Sequence, residues 1–177
     1  MYTISLNDSA LDFKTLEQTI YRAVCDIACD VLKDVLGTLD KMLMATRDTN
    51  KYRHKGIKDT HINTVMGTIH YGRRIYKCQD GDGKEKYIYL LDQYLNNETI
   101  GRASTNLAEK IVERALEEPY RKAAEAIDST TNIGLSHTTA WNVVQKIGEK
   151  LKEKEERLVS KYEHGELMGE REVEVLF

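Results

Sequence analysis

The stretch from Pro119 to Leu151 contains two helical patterns separated by a short break, and it constrains the fold more than any other part of the chain. Ala123 and Ile127 recur at helical spacing and give the first pattern an apolar face. Residues 132–135 then break the pattern, and Gly134 suits the left-handed backbone that ends many helices. We therefore predict a helix, a turn and a second helix.

The second helix is predicted to begin after Ser136, whose hydroxyl can accept a free backbone N–H of the first turn. Its apolar residues fall on one side, which leaves polar side chains of the first turns near the other. This layout is typical of a DNA-reading helix-turn-helix, in which the second helix enters the major groove. The candidate DNA contacts on this helix are Ser136, His137, Thr138, Thr139, Asn142, Gln145 and Lys146.

The chemistry of these side chains suits DNA, because Asn and Gln can pair with adenine and Thr can contact a thymine methyl group or a phosphate. Lys146 and, on the preceding helix, Arg121 and Lys122 could hold phosphates, which position a protein without reading sequence. An ordinary helical hairpin with a polar outer face, and with Trp141 as a packing residue, stays open as an alternative.

Charge is unevenly distributed along the 177 residues. The formal net charge is −3, so the average does not indicate nucleic-acid binding. Segment 51–77 is different, because it contains one acidic residue, Asp59, and many basic ones. The basic residues of this segment are Lys51, Arg53, Lys55, Lys58, Arg73, Arg74 and Lys77.

The first half of the chain predicts a long helix followed by a small antiparallel sheet. Segment 1–50 reads as an amphipathic helix from Ser9 to Thr46, or as two helices with a kink at Gly37. It could pair with a second copy or pack within the chain. Arg47–Lys58, which leads into segment 51–95, reads as a linker or arm. Within that segment, residues 60–92 predict two or three strands with a hairpin turn at 79–84.

The sheet is expected to place Arg73, Arg74 and Lys77 near one surface, where they could lie on a DNA backbone or form a solvated strand face. Segment 96–165 predicts a supporting helix capped by Ser104, the helix pair, and a charged connector helix that ends near Gly165 or Gly169. Segment 166–177 alternates into an apolar strand, which suggests the start of an incomplete domain. The predicted fold class is mainly α with a small antiparallel β element (α+β), with a trihelical unit.

Cys25, Cys29 and Cys78 lack the spacing of zinc ligands, so we expect buried free thiols and no metal site. No signal peptide and no membrane-length apolar run are visible, which favours a soluble cytoplasmic protein.

Four motifs occur in order along the chain: T-x-x-G-T-I-H-Y-x-R-R-I-Y at 64–76, Y-L-L-D at 89–92, Y-R-K-A-A-E-A-I at 120–127, and S-H-T-T-A-W-N at 136–142. Together they resemble the N-terminal half of the ISLre-two family of insertion-sequence transposases, many of whose members are described only as an uncharacterised protein family.

The resemblance implies a bacterial mobile-element protein that binds double-stranded DNA at the ends of its element. It also implies a ribonuclease-H-like catalytic part with three acidic residues and two divalent metals such as Mg²⁺. The first catalytic aspartate is expected just after a strand like Glu172–Phe177, so we assign no catalytic residue and no cofactor to this chain.

The expected function is therefore that of a DNA-binding N-terminal fragment of a transposase. The alternatives are a stand-alone helix-turn-helix regulator or transposition inhibitor, and a helical interaction protein that does not bind DNA. A metal-dependent nuclease would need clustered carboxylates, and we find none in the sequence.

Overall fold

The computed structural model describes residues 12–166 except 80, 82, 96–98 and 132. Five helices and three strands follow one another along these residues. They are α1 (Phe13–Thr46), β1 (Arg53–Thr64), β2 (Gly67–Gln79), β3 (Glu85–Tyr89), α2 (Leu90–Tyr94), α3 (Thr105–Glu117), α4 (Tyr120–Thr130) and α5 (His137–Glu163). The strands form one antiparallel sheet in the order β1-β2-β3. The predicted fold class is confirmed.

Helix α1 is a single helix of 34 residues that passes through Gly37 without a break. One glycine in a helix interior costs only about 1 kcal/mol, and packing of the flanking turns against the sheet offsets that cost. At the start of α1, the Asp12 carboxylate accepts the backbone N–H of Thr15 at 2.6 Å. This bond lowers the pKa of Asp12 below its usual value.

The first apolar core lies between α1 and the sheet. Leu36 on α1, Ile69 and Tyr71 on β2, and Leu91 on α2 form its buried centre. The core residues of α1 recur every three or four positions and those of β2 every second position, so each element presents one apolar face. These two faces pack against each other. Partly buried residues that extend this core are Cys29, Leu32, Leu39, Leu43 and Ile62.

Two local predictions in this region are wrong. Residues 53–58 belong to strand β1 and not to a linker or arm. A β-bulge between His54 and Gly56 interrupts the alternation of side chains, and an edge strand tolerates exposed charges, so the segment does not show a strand pattern. Leu90 and Leu91, expected to continue a strand, begin the short helix α2 instead.

At Gly72 in β2, the side chain of Ile57 on the paired strand occupies the space that a side chain at position 72 would need. A Cβ at Gly72 would lie 2.8 Å from Cγ2 of Ile57 on the paired strand. Real side chains do not approach that closely, so glycine lets the two strands pass close to each other at this point.

The second apolar core is formed by α3, α4 and α5. Leu107 and Ile111 of α3, Ile127 of α4, and Ala140 and Val143 of α5 are buried together. The trihelical arrangement expected from the sequence is therefore present, with Ser104 capping α3 by accepting the backbone N–H of Leu107 at 3.3 Å.

The tip of the β1–β2 hairpin connects the two cores. Val65, in the turn between the strands, packs against the trihelical core. The backbone N–H of Asn63 donates to the carbonyl of Arg102 at 2.8 Å, and the N–H of Ser104 donates to the carbonyl of Asn63 at 2.8 Å. The sheet thus contributes both hydrogen bonds and an apolar side chain to the helical unit.

Helix α5 is one continuous helix of 27 residues, and the charged connector is its second half. Residues 148–166 are exposed along their whole length. Gly165 has a positive φ of 68°, as expected of a residue that follows a helix end. The predicted strand Glu172–Phe177 lies outside the described residues.

Within the described ranges, no helix is long and apolar enough to cross a bilayer. Cys25 and Cys78 are buried free thiols, as predicted, whereas Cys29 is only partly buried. Burial, with Asp26 nearby, raises the pKa of the Cys29 thiol.

Candidate nucleic-acid interface

The turn between α4 and α5 sets the direction in which α5 leaves the trihelical core. Gly134 has a φ of 65°, the left-handed conformation predicted for it. The next residue, Leu135, is buried, and its backbone N–H donates to the carboxylate of Asp128 at 3.2 Å. The turn is therefore held by the buried side chain of Leu135 and by a hydrogen bond that its backbone N–H donates to the end of α4.

Ser136 caps α5 as expected. Its hydroxyl oxygen accepts the backbone N–H of Thr139 at 3.1 Å, and the two hydroxyls lie 2.9 Å apart. Because this hydroxyl satisfies a backbone donor that would otherwise lack a partner, the cap stabilises the first turn of α5.

The polar side chains predicted on α5 share one accessible face. At 100° per residue, Thr138, Asn142 and Gln145 lie together on the side opposite Ala140 and Val143, which are buried. Neighbouring residues widen this face, and Thr139 alone among the candidates on α5 is partly buried. The exposed candidates are Ser136, His137, Thr138, Asn142, Gln145 and Lys146.

Trp141 also lies beside this face, and 48% of its surface is exposed. It is thus not the buried packing residue of the alternative hairpin interpretation. The exposed aromatic ring next to Asn142 adds a flat apolar surface to this side of α5.

The basic residues predicted on the sheet already have carboxylate partners. Arg73 pairs with Asp92 of α2, and its guanidinium lies 3.9 Å from the ring centroid of Tyr89. Arg74 pairs with Asp40 of α1. The side chains of both arginines are 19% exposed. They therefore fasten helices to the sheet and are not freely available to DNA.

Lys77 is similarly engaged, because its ammonium group pairs with Glu85 on β3. The charge count over 51–77 overestimated the free positive charge because the three partner carboxylates lie outside that window. Lys55 and Lys58 of the same segment are exposed on the edge strand β1, and the described residues include no ion-pair partner for either.

The two candidates on α4 are exposed. Arg121 pairs with Glu125 one turn along the helix at 3.3 Å, and both side chains are largely in solvent. Such exposed pairs contribute about 0–1 kcal/mol, so DNA phosphate could readily replace Glu125. Lys122 is exposed on the same helix.

A group of basic side chains that no sequence pattern predicted lies where the hairpin meets the trihelical unit. Arg102 is exposed, and its guanidinium lies 3.2 Å from Nε2 of His61. The ring of His61 is 5.4 Å from that of His70 on the paired strand. Because His61 and Arg102 are 41 residues apart, no local signal in the sequence could have brought them together.

Lys146 and Lys150 extend this group along α5. A Cβ on Gly101 would lie 2.9 Å from Nζ of Lys146, and Gly101 has a φ of 66°, so the loop passes directly beneath this lysine. The ammonium group of Lys150 donates to the carbonyl of Thr99 at 3.4 Å. Positively charged side chains thus lie on α5, above the loop and at Arg102.

A cleft of about 920 Å³ separates the first half of α1 from the α4–α5 turn. Its main bridging contact is the hydroxyl of Tyr21, which donates to the carbonyl of Thr130 at 2.8 Å. A contact with the Cys25 thiol, followed by burial, raises the pKa of Tyr21. Across the described part of the chain, no three His, Cys, Asp or Glu side chains are grouped to hold a metal ion.

Comparison with known proteins identifies the family. A family described as an uncharacterised protein family, UPF0236, matches residues 6–177. The chain belongs to UPF0236. A UPF0236 protein of Caldanaerobacter subterraneus subsp. tengcongensis is 30% identical over 136 residues, which is 72% of this chain and 27% of that relative.

A second UPF0236 relative from the same organism is 34% identical over 100 residues, covering 54% of this chain and 20% of the relative. The chain therefore spans about a quarter of the length of the curated UPF0236 relatives that it matches. No solved structure matches the chain.

Proposed function

We propose that this UPF0236 chain is a double-stranded-DNA-binding part of a bacterial insertion-sequence transposase and that it recognises the ends of the element. The observation that carries the proposal is the exposed face of α5, with Thr138, Asn142 and Gln145 on a helix capped by Ser136 and supported by α3 and α4. A helix presented in this way matches the geometry with which helix-turn-helix proteins read the major groove.

The proposed contacts are of two kinds: side chains that would bind base edges, and side chains that would bind phosphates. Asn142 and Gln145 can each form two hydrogen bonds to adenine, and Thr138 can contact a thymine methyl group. Lys146 and Arg102 would contact phosphates, and Lys122 would do so from α4. Arg73 and Arg74 are excluded from this set because each is 19% exposed and is bound by a carboxylate of the chain. Lys77, like Arg121, pairs with an exposed glutamate that a phosphate could replace.

The ISLre-two resemblance supplies the transposase part of the proposal. Strand transfer, with its divalent metals, would then belong to the part of the full-length relatives that this chain does not cover, and the chain itself would act in the bacterial cytoplasm without a cofactor. The resemblance motif at 136–142 coincides with the cap and first turns of α5, so it falls on the proposed reading surface.

The direct test is binding of the purified chain to DNA from the ends of its element and to scrambled DNA, over a range of salt concentrations. We expect a preference for the element ends that persists near physiological salt. Asn142→Ala should weaken binding to the ends by about 1–3 kcal/mol at one base position. Asn106→Ala, the same change at an exposed position of α3, should leave binding unchanged.

Lys146→Ala should weaken binding to both DNAs similarly and reduce the salt dependence by about one phosphate contact. Equal binding to both DNAs that disappears with salt would rule out sequence reading by α5. The exposed apolar side chains of α1 favour a second candidate, a helical interaction protein, and absence of DNA binding even at low salt would support it.

A further inference from the structure

Helix α1 has a second apolar face in addition to the one that packs on the sheet. Six large apolar side chains on it are between 42% and 80% exposed. We call this set the α1 stripe: Phe13, Ile20, Val24, Val31, Val35 and Met42. Single exposed apolar residues are ordinary, but a continuous row along a whole helix usually marks an interaction surface.

The spacing of the stripe is regular. Its members are separated by seven, four, seven, four and seven residues, which is an 11-residue repeat. Such a repeat corresponds to about 3.67 residues per turn, close to the period of a straight helix. The six residues therefore stay within a sector roughly 60° wide, and this sector is centred roughly 130° around the helix from Leu36, which faces the sheet.

The spacing is also the same when it is read in either direction. A two-fold axis between positions 27 and 28 would place Val24 against Val31 of a second copy and Ile20 against Val35 of that copy. It would also place Phe13 against Met42 of the second copy. Every member of the stripe would then meet another member, which is the self-complementarity that a two-fold interface requires.

We propose that α1 pairs with α1 of a second copy of this chain in antiparallel orientation through the α1 stripe. The stripe spans about 43 Å of helix, enough for a two-helix contact that approaches the roughly 800 Å² per partner of a standard interface. In this register Asp30 lies opposite Cys25 of the second copy and Asp34 lies opposite Tyr21, so these carboxylates do not face each other across the contact. The proposal does not depend on DNA binding.

The test begins with the mass of the 177-residue chain at micromolar concentration, measured by sedimentation equilibrium in the absence of DNA. We expect about twice the chain mass of 20.3 kDa. The double variant Val24→Glu/Val31→Glu should have the mass of one chain and an unchanged far-UV circular dichroism spectrum, because both side chains are 56% exposed. Lys33→Glu, an exposed position on the opposite side of α1, should keep the doubled mass.

Disulfide formation tests the orientation without relying on destabilising variants. In a Cys29→Ser background, Val24→Cys and Val31→Cys chains should cross-link when mixed under oxidising conditions, and neither should cross-link alone. Cross-linking of each variant with itself would overturn the antiparallel arrangement. A single-chain mass for the unmodified protein, or a doubled mass that survives Val24→Glu/Val31→Glu, would overturn pairing through the stripe.

Discussion

At the scale of single residues, buried charge pairs hold α1 and α2 on the sheet. The Asp40 side chain is 3% exposed, pairs with the guanidinium of Arg74 and also accepts the backbone N–H of Arg74 at 3.2 Å. A buried carboxylate needs this number of partners, because leaving water is costly for a charge. Arg73 and Asp92 form a second, less buried pair at α2, in which the Asp92 side chain is 26% exposed.

Asp40→Ala should therefore strongly destabilise the protein. It leaves the guanidinium of Arg74 largely buried without its carboxylate, and losing one partner of such a pair typically costs about 3–5 kcal/mol. Urea unfolding followed by circular dichroism would measure the change in the free energy of unfolding. Asp34→Ala removes an exposed carboxylate from the same helix and should change that free energy by no more than about 0.5 kcal/mol. Similar losses for both variants would contradict a structural role for Asp40.

Tyr76 makes stability sensitive to alkaline pH. Its side chain is fully buried, and burial, reinforced by the Asp40 carboxylate, raises the pKa of its phenol above the usual value of 10.0. Above about pH 10 the unfolded chain loses this proton before the folded chain does, so stability falls as pH rises. Below that pH the contribution is fully present.

Tyr76→Phe should accordingly lose less stability than the unmodified chain when pH is raised from about 9 to 11. Comparison of urea midpoints at the two pH values measures the difference. Tyr87→Phe, at a side chain that is 59% exposed, should behave like the unmodified chain. An identical alkaline loss with and without the Tyr76 hydroxyl would show that Tyr76 is not the titrating group.

At the scale of the elements, α5 depends on how its first turn is closed. Ser136 caps the helix, and Gly134 provides the left-handed backbone that lets the chain enter it. Both features are local, which explains why the sequence alone predicted them correctly. The first residues of the bulged strand β1 behave differently. They form a strand because they pair with β2, and their own sequence pattern does not predict it.

Ser136→Ala should lower the free energy of unfolding by about 1 kcal/mol through loss of the cap. Ser136→Asp should restore it, because a carboxylate can accept the same N–H and is favoured at a helix N-terminus. Fluorescence of Trp141, the one tryptophan of the chain, reports unfolding of this unit. If the aspartate variant is as unstable as the alanine variant, capping is not the reason for the loss.

At the scale of the whole molecule, the hairpin tip makes the two cores interdependent. Val65 enters the trihelical core, and backbone hydrogen bonds connect Asn63 with Arg102 and Ser104. Tyr21 adds a bond from α1 to the end of α4. The sheet and the helical unit should therefore unfold together and not as separate units.

Val65→Ala tests this coupling, because it removes two methyl groups from the contact between the hairpin tip and the trihelical core. The variant should lower the free energy of unfolding by about 1 kcal/mol. The urea midpoint should shift by the same amount whether unfolding is followed by Trp141 fluorescence or by circular dichroism. Fluorescence reports on the trihelical unit, and circular dichroism reports on all the helices together. Ile57→Ala, on the same hairpin but 62% exposed, should have little effect. Separate transitions by the two probes would indicate that the cores unfold independently.

The sequence by itself determined the features that depend on near neighbours. The helical period of α3, α4 and α5, the caps at Ser104 and Ser136, and the turn at Gly134 follow from residues a few positions apart. The exposed face of α5 follows in the same way, since the positions that pack against α3 and α4 decide which ones remain free.

Only the tertiary structure decided which charges are available and which apolar faces are covered. Arg74 pairs with Asp40, which is 34 residues away in the sequence, and Arg73 pairs with Asp92, which is 19 residues away. A count of charges within a short window could therefore not show that these arginines were paired. The amphipathic pattern of α1 likewise could not show that the sheet covers one apolar face and leaves the α1 stripe exposed. Folding brings together side chains that are far apart along the chain, and a local sequence pattern carries no information about such pairings.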